Sequence, residues 1–428
     1  MRANKSGPSG HEARRTFHGR FLRRVDDRAL AHISLAAALI LIAMTTLWPL
    51  PEQTAESART PLFCLPCGDT GTADSVLNVL LFIPLGLALV WAGAPLWLAA
   101  LVCALTTTTV EVFQFFLIPG RDAAFADTLA NTLGGGMGGI LATRWRALLF
   151  PTRTRGVTLL VIGVLWVIVA LMGSALLLQP SLPRPPWFGQ WAVSGEDEGW
   201  FEGKVHNVEL GGHRVPHGQI VDANDRRETL LKRPVLLAAT VTSGPSRHHP
   251  QRILSIATKE RPFLTLLQAD RDLYFEVRSK AANLRLHSPI FQLCSGFPTT
   301  ADDTVMIEGR LWRGRGILSV SRQGVRRESQ ASLTVFDGWR TLRPIPVGAP
   351  IGRGITWLWI GALLMPIGWL SVGRPPGLLA GLVVLVLAVS MTSSLVGTLP
   401  LPSAIEWAVA VSWALVGRLT CLRLQQRE

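Results

Sequence analysis

Charge is scarce in this chain: only 17% of its 428 residues are Asp, Glu, Lys or Arg. A soluble globular domain carries about 25%. Hydrophobic residues make up 48%, mean hydropathy is +0.32, and the apolar residues gather in runs instead of alternating with polar ones. These features exclude an ordinary soluble protein and indicate an integral membrane protein. Signatures of soluble chemistry are also missing. Gly-x-Ser-x-Gly, Gly-Asp-Ser and phosphate-cradling glycine loops are absent, which leaves soluble hydrolase and nucleotide chemistry without support. No internal repeat of fixed period is present. Acidic residues number 29 against 42 basic ones. With no nucleic-acid-binding motif beside it, the net charge of +13 reads as attraction to anionic lipid headgroups and not to nucleic acid.

Windows of about 17–25 apolar residues mark candidate membrane spans. They fall at 30–48, 75–92, 96–118, 126–141, 157–178, 355–371, 377–397 and 403–420, the fourth being short and rich in glycine. The first is no cleaved leader, because a long basic stretch precedes it and no small-residue cleavage site follows Leu47-Trp48-Pro49. Residues 1–28 carry eight Lys or Arg and read as a disordered tail on the cytoplasmic side. Eight spans then place Arg144, Arg146, Arg153, Arg155, Arg374, Arg418, Arg423 and Arg427 on that side too, with both termini cytoplasmic.

Between the fifth and sixth spans lies a stretch of ordinary polarity, 180–350, bounded by proline clusters that suit domain boundaries. The orientation makes it extracytoplasmic. Short apolar segments alternate within it: Val205–Leu210, Val235–Val241, Arg252–Ala257, Phe263–Leu267, Leu273–Val277, Val305–Leu311 and Ile317–Val320. Gly-Gly, Asp-Arg-Asp and Arg-Gly-Arg-Gly turns separate them, which predicts an antiparallel β-sandwich with no helix of comparable length. The expected fold class is therefore a polytopic α-helical membrane protein of about eight spans with an inserted all-β outer domain. Its parts are a basic tail (1–28), a four-helix membrane domain (29–148), a fifth helix (149–179), the sandwich (180–350) and three C-terminal helices (351–428).

The polar residues inside the early spans carry the functional signal, because ionisable groups at membrane depth are expensive. Residues three or four apart share a helix face. Asp74 pairs with Asn78 at the start of the second span, Glu111 with Gln114 near the end of the third, and Asp127 with Asn131 at the start of the fourth. Arg121 and Asp122 lie in the loop between. The alternating span directions put all eight at the outer leaflet, where they can bind a polar headgroup, a cation or a proton, or simply glue the bundle. The overlapping pairs Gly134/Gly138 and Gly135/Gly139 allow close helix approach, and Pro84 is expected to kink the second span.

The run Asp74-Ser-Val-Leu-Asn78-Val-Leu-Leu-Phe82-Ile-Pro84-Leu-Gly86, followed by Glu111-Val-Phe-Gln114, Arg121-Asp122, Asp127, Asn131 and Gly134 to Gly138, resembles the signature of the VanZ-like membrane proteins. The likeness covers about 30–145. It implies a small membrane domain linked to the cell envelope and, in the family's namesake, to low-level glycopeptide (teicoplanin) resistance. In the outer stretch, Ile253–Ala257, Phe263–Gln268 and Asp272–Arg278 resemble strands of the concanavalin A-like (laminin G-type) jelly rolls, which implies a face that contacts glycan or protein. Trp200, Phe201 and Trp312 are either binding platforms or core.

Cys64 and Cys67, in the first outer loop, either form a local disulfide or stay unpaired, since a redox Cys-x-x-Cys lacks its usual βαβ setting here. Cys103, Cys294 and Cys421 have no nucleophile context, and the spacings of His206, His213, His217, His248 and His249 match no zinc ligand set. No metal and no cofactor is expected. Trp357, Trp359 and Trp407 read as interfacial anchors, and Glu406 as a helix-end carboxylate reaching headgroups or a site residue. The leading expectation is a non-enzymatic module of the bacterial cytoplasmic membrane. Its membrane domain binds a membrane lipid or lipid-linked cell-wall precursor, and its sandwich contacts glycan or an envelope protein. The alternative is a membrane enzyme using Glu111 and Asp127 on a lipid-linked substrate. A transporter is disfavoured, because the later spans lack deep charges and no inverted repeat is visible.

Overall fold

A computed structural model describes residues 29–47, 68–118, 124–191, 200–245, 248–298 and 302–426. Cys64, Cys67, Arg121, Asp122 and the basic tail lie outside these residues. The chain divides into two compact units, Met1–Phe150 and Pro151–Glu428.

The first unit is helical. Helices α1 (Ala29–Thr46), α2 (Gly71–Trp91), α3 (Leu96–Leu117) and α4 (Phe125–Leu149) form it. Among the described residues seven helices are long and apolar enough to cross a membrane, and the first three of these are among them. The remaining four are α5 (Arg153–Leu177), α7 (Pro350–Leu370), α8 (Pro376–Gly397) and α9 (Ala404–Gln425). Helix α4, the fourth expected span, is not among those seven. It is longer than the apolar window 126–141 predicts, at 25 residues, but its glycines and flanking charges dilute the hydropathy. Those glycines are positional. A Cβ on Gly134 or Gly138 would collide with the backbone carbonyl oxygens of Val79 or Ile83 on α2, so the two helices touch backbone to backbone. Helix α2 runs unbroken through Pro84.

The second unit combines α5, α7, α8 and α9 with a β-sandwich. All seven predicted strands are present, within β2 (Lys204–Leu210), β5 (Val235–Thr242), β6 (Gln251–Ala257), β7 (Pro262–Ala269), β8 (Asp272–Val277), β10 (Thr304–Trp312) and β11 (Arg315–Arg322). The predicted turns close them: Gly211 and Gly212, Asp270, and Arg313 with Gly314 all adopt positive φ. Five further strands join: β1 (Trp187–Trp191), β3 (His213–Arg214), β4 (Gly218–Ile220), β9 (Ile290–Leu293) and β12 (Val325–Ser332). One antiparallel sheet has the order β4-β1-β6-β7-β8-β9 and the other β12-β11-β10-β5-β2-β3. Along β10, Val305, Ile307 and Leu311 face the shared core and Glu308 and Arg310 face away, the period of two expected of a strand buried on one side. Strand β12 escapes sequence reading because it is an exposed edge, Val-Arg-Arg-Glu-Ser-Gln-Ala-Ser, with no apolar alternation. The expectation of no helix in this region is also corrected by α6 (Ala223–Lys232). That helix is held by Arg226, whose guanidinium bonds Asp222 Oδ1 at 2.7 Å and the carbonyls of His213 and Arg214.

A 3-10 turn, Val335–Thr341, leaves the last strand and packs among the membrane helices. Val335 and Phe336 are fully buried with Leu171, Ile360, Val386 and Ala410. Gly338 lies against Ser174 of α5, where a Cβ would overlap the Ser174 hydroxyl. Trp407 belongs to this packing and donates to Ser390 Oγ at 3.2 Å, and Trp359 packs there too. Both are partly buried against these helices, while Trp357 is exposed.

Candidate functional site

Helix register in the first unit decides where the polar residues meet. Gly134 opposes Val79 and Gly138 opposes Ile83, so α2 and α4 run in the same direction. Asn131 meets Thr107 and Gly135 meets Cys103, so α3 runs the other way. The start of α2, the end of α3 and the start of α4 therefore lie at one end of the bundle, and Asp74, Asn78, Glu111, Gln114, Asp127 and Asn131 are all placed there.

Their environments differ. Asp74 is exposed and accepts from Thr70 Oγ1 at 3.0 Å, with Asn78 half-buried one turn further on. Glu111 is half-buried, and its Oε2 accepts the backbone N–H of Ala124 at 2.8 Å. Ala124 is the N-cap of α4, so a carboxylate from α3 sits at the positive end of the α4 dipole, where negative charge is stabilised. Asp127, in the first turn of α4, interacts electrostatically with that same carboxylate. Two carboxylates thus share one helix start.

Gln114 and Asn131 are buried, and one of them is consumed by packing. Gln114 Nε2 donates to the Thr46 carbonyl at 2.9 Å, tying α3 to α1. Asn131 is 3% exposed and donates from Nδ2 to Thr107 Oγ1 at 2.8 Å. Its Oδ1 is buried without a hydrogen-bond partner among the described residues. Such an orphaned acceptor costs about 1–3 kcal/mol unless a donor reaches it. Thr46 and Thr107, the partners of Gln114 and Asn131, carry no recognisable motif, and their part follows from tertiary contact alone.

The second unit holds polar groups that sequence reading did not single out. Asp337 and Arg340 form a buried ion pair at 2.9 Å. Thr356 donates to Asp337 Oδ1 at 3.0 Å, and Trp339 Nε1 donates to Thr356 Oγ1 at 2.9 Å. Arg340 also donates to the carbonyls of Ile345 and Pro346, so the pair is hydrogen-bonded on both sides and behaves as a structural clamp. Glu406 caps α9. It closes a capping box with Ser403 and accepts from Thr334. On the β4–β9 sheet, burial pushes the Glu276 carboxyl up to about 6 despite Arg278 and Arg252 nearby, and burial likewise lowers Arg252. Phe201 is core, Trp200 packs at its margin with Arg252 over its ring, and Trp312 carries Arg313 in the same way. His248 pairs with Asp270 at 2.7 Å on the surface. Among the described residues no group of three or more His, Cys, Asp or Glu is placed to hold a metal ion.

The family model described as VanZ/LLP1 matches residues 29–148. The first unit is therefore VanZ-like, as its motif indicates, within a multi-pass membrane protein that also carries a two-sheet β domain. Neither a curated protein nor a solved structure matches the chain.

Proposed function

We propose that this protein is a non-enzymatic module of the bacterial cytoplasmic membrane. Its VanZ-like domain holds the polar headgroup of a membrane lipid or lipid-linked cell-wall precursor. The supporting observation is the gathering of Asp74, Glu111 and Asp127 at one end of the α2–α4 bundle, beside the unpartnered Asn131 Oδ1. Carboxylates and an amide oxygen are acceptors, so the group they suit is rich in O–H or N–H donors. Arg121 and Asp122, between α3 and α4 in the sequence, are included in the proposed set.

The distribution of Lys and Arg supports cytoplasmic termini, an outer-leaflet site and an extracytoplasmic 180–350 segment. The sandwich, which we read as laminin G-like, contacts glycan or an envelope protein. A contribution to glycopeptide tolerance is the cellular phenotype that this reading extends to.

The test is native mass spectrometry of the purified protein with lipid and cell-wall-precursor fractions, beside a Glu111→Gln/Asp127→Asn variant, with recovered ligand checked for turnover. Specific binding lost in the variant, with ligand unchanged, is the expected result. Conversion of the ligand by the native protein alone replaces this reading with a membrane enzyme. Equal binding by both proteins reduces the polar set to helix packing.

A further inference from the structure

The β12-β11-β10-β5-β2-β3 sheet carries, on the side away from the core, a cleft of about 550 Å3 walled at one end by α6. That volume suits a small-molecule ligand. Strand register builds it. Glu308 on β10 lies between Ala238 of β5 and Ser319 of β11, and Ser319 in turn opposes Glu328 of β12. Two residues along on the same face, Arg310 lies between Leu236 and Ile317.

Charge in the cleft is unevenly satisfied. Arg326 bridges both carboxylates, at 3.1 Å to Glu308 and 3.3 Å to Glu328, leaving the trio one negative charge in excess. Arg233 and Arg310, both exposed, also line the cleft, and neither guanidinium has a hydrogen bond or ion pair among the described residues. Arg233 has a second use, since it is the C-cap of α6 and offsets the negative end of that helix. Arg310 has none. It projects from mid-strand between two apolar neighbours, where an unpaired guanidinium gains from a charged acceptor.

We infer that this cleft binds a small ligand carrying an oxyanion, carboxylate or phosphate, on a hydroxyl-bearing body. Arg310 and Arg233 clamp the anion, a guanidinium fork being matched to both groups. Glu308 and Glu328, held by Arg326, accept hydroxyls of the body, Ser319 lies cross-strand from both in the same cleft, and Leu236 and Ile317 form the apolar floor. The inference concerns the β domain alone and does not depend on headgroup binding by the VanZ-like domain.

The experiment is titration calorimetry of the full-length protein in detergent micelles with potassium glucuronate, potassium phosphate and potassium chloride, repeated on Arg310→Gln and Arg310→Lys. Saturable binding of glucuronate or phosphate but not chloride is expected, weakened about tenfold or more in Arg310→Gln, as for loss of a charge-assisted hydrogen-bonded partner. Arg310→Lys keeps the charge without the fork and should fall between. Which of the two probes binds assigns the oxyanion. Unaltered melting of the variants without ligand shows that the fold survives. The Glu111→Gln/Asp127→Asn variant binds the probes like the native protein, which separates this site from the membrane one. No saturable binding, equal response to chloride, or equal affinity in Arg310→Gln overturns the inference.

Discussion

The hydroxyl of Thr334 donates to Glu406 Oε1 at 2.7 Å, joining the end of the last strand of the sandwich to the first turn of α9. The other oxygen of Glu406 accepts from the Ser403 backbone N–H at 2.7 Å, and Thr334 also caps the 3-10 turn that carries Asp337 and Arg340. One carboxylate thus starts a membrane helix and fixes the β domain to it. Removing the hydroxyl with Thr334→Val is expected to destabilise the protein by about 1–3 kcal/mol. Glu406→Gln should cost a similar amount, and the double variant clearly less than the sum. Thermal melting of the four proteins in micelles checks this; strictly additive losses would show that the two residues act independently.

The glycine seam between α2 and α4 makes a contrast within one turn of one helix. Gly138→Ala puts a Cβ onto the Ile83 carbonyl and is expected to cost about 1–3 kcal/mol or more, because backbone cannot rotate away as a side chain can. Gly136→Ala meets nothing within 4 Å and should be neutral or slightly stabilising. Comparing melting temperatures and expression of the two variants decides it. Equal effects would mean that α2 and α4 do not touch at Gly138.

Glu276 makes the β domain sensitive to pH. Burial raises its carboxyl from an ordinary 4.5 to about 6, so the folded state holds the proton more tightly than the unfolded chain does. Its contribution to stability is therefore fully present below pH 4.5 and is lost as pH rises through 6, a change on the order of 2 kcal/mol. Melting curves of the native protein and Glu276→Gln between pH 4 and 7.5 should diverge in slope across that window, with the variant flatter. Parallel curves would remove Glu276 as the cause.

Periodicity and composition determined much of this protein. Long apolar runs need no partner to be recognised as helices, and alternation with turn residues marked seven of the strands. The run from Asp74 to Gly138 was legible for the same reason: its residues are unusual for a membrane span wherever they end up in space. Strand β12 and helix α6 lacked any such signal, being edge or surface elements whose pairing, not pattern, fixes them. Tertiary structure alone decided which polar residues are already engaged. Gln114 is bound by the Thr46 carbonyl, 68 positions away, and Glu111 by the Ala124 N–H, while Asn131 keeps a buried oxygen without a partner. It also gave Glu406 its capping role on α9 and its bond to Thr334, and Trp407 its bond to Ser390. Burial and hydrogen bonding depend on neighbours that helix register and sheet order bring together, and sequence spacing within one element carries no record of them.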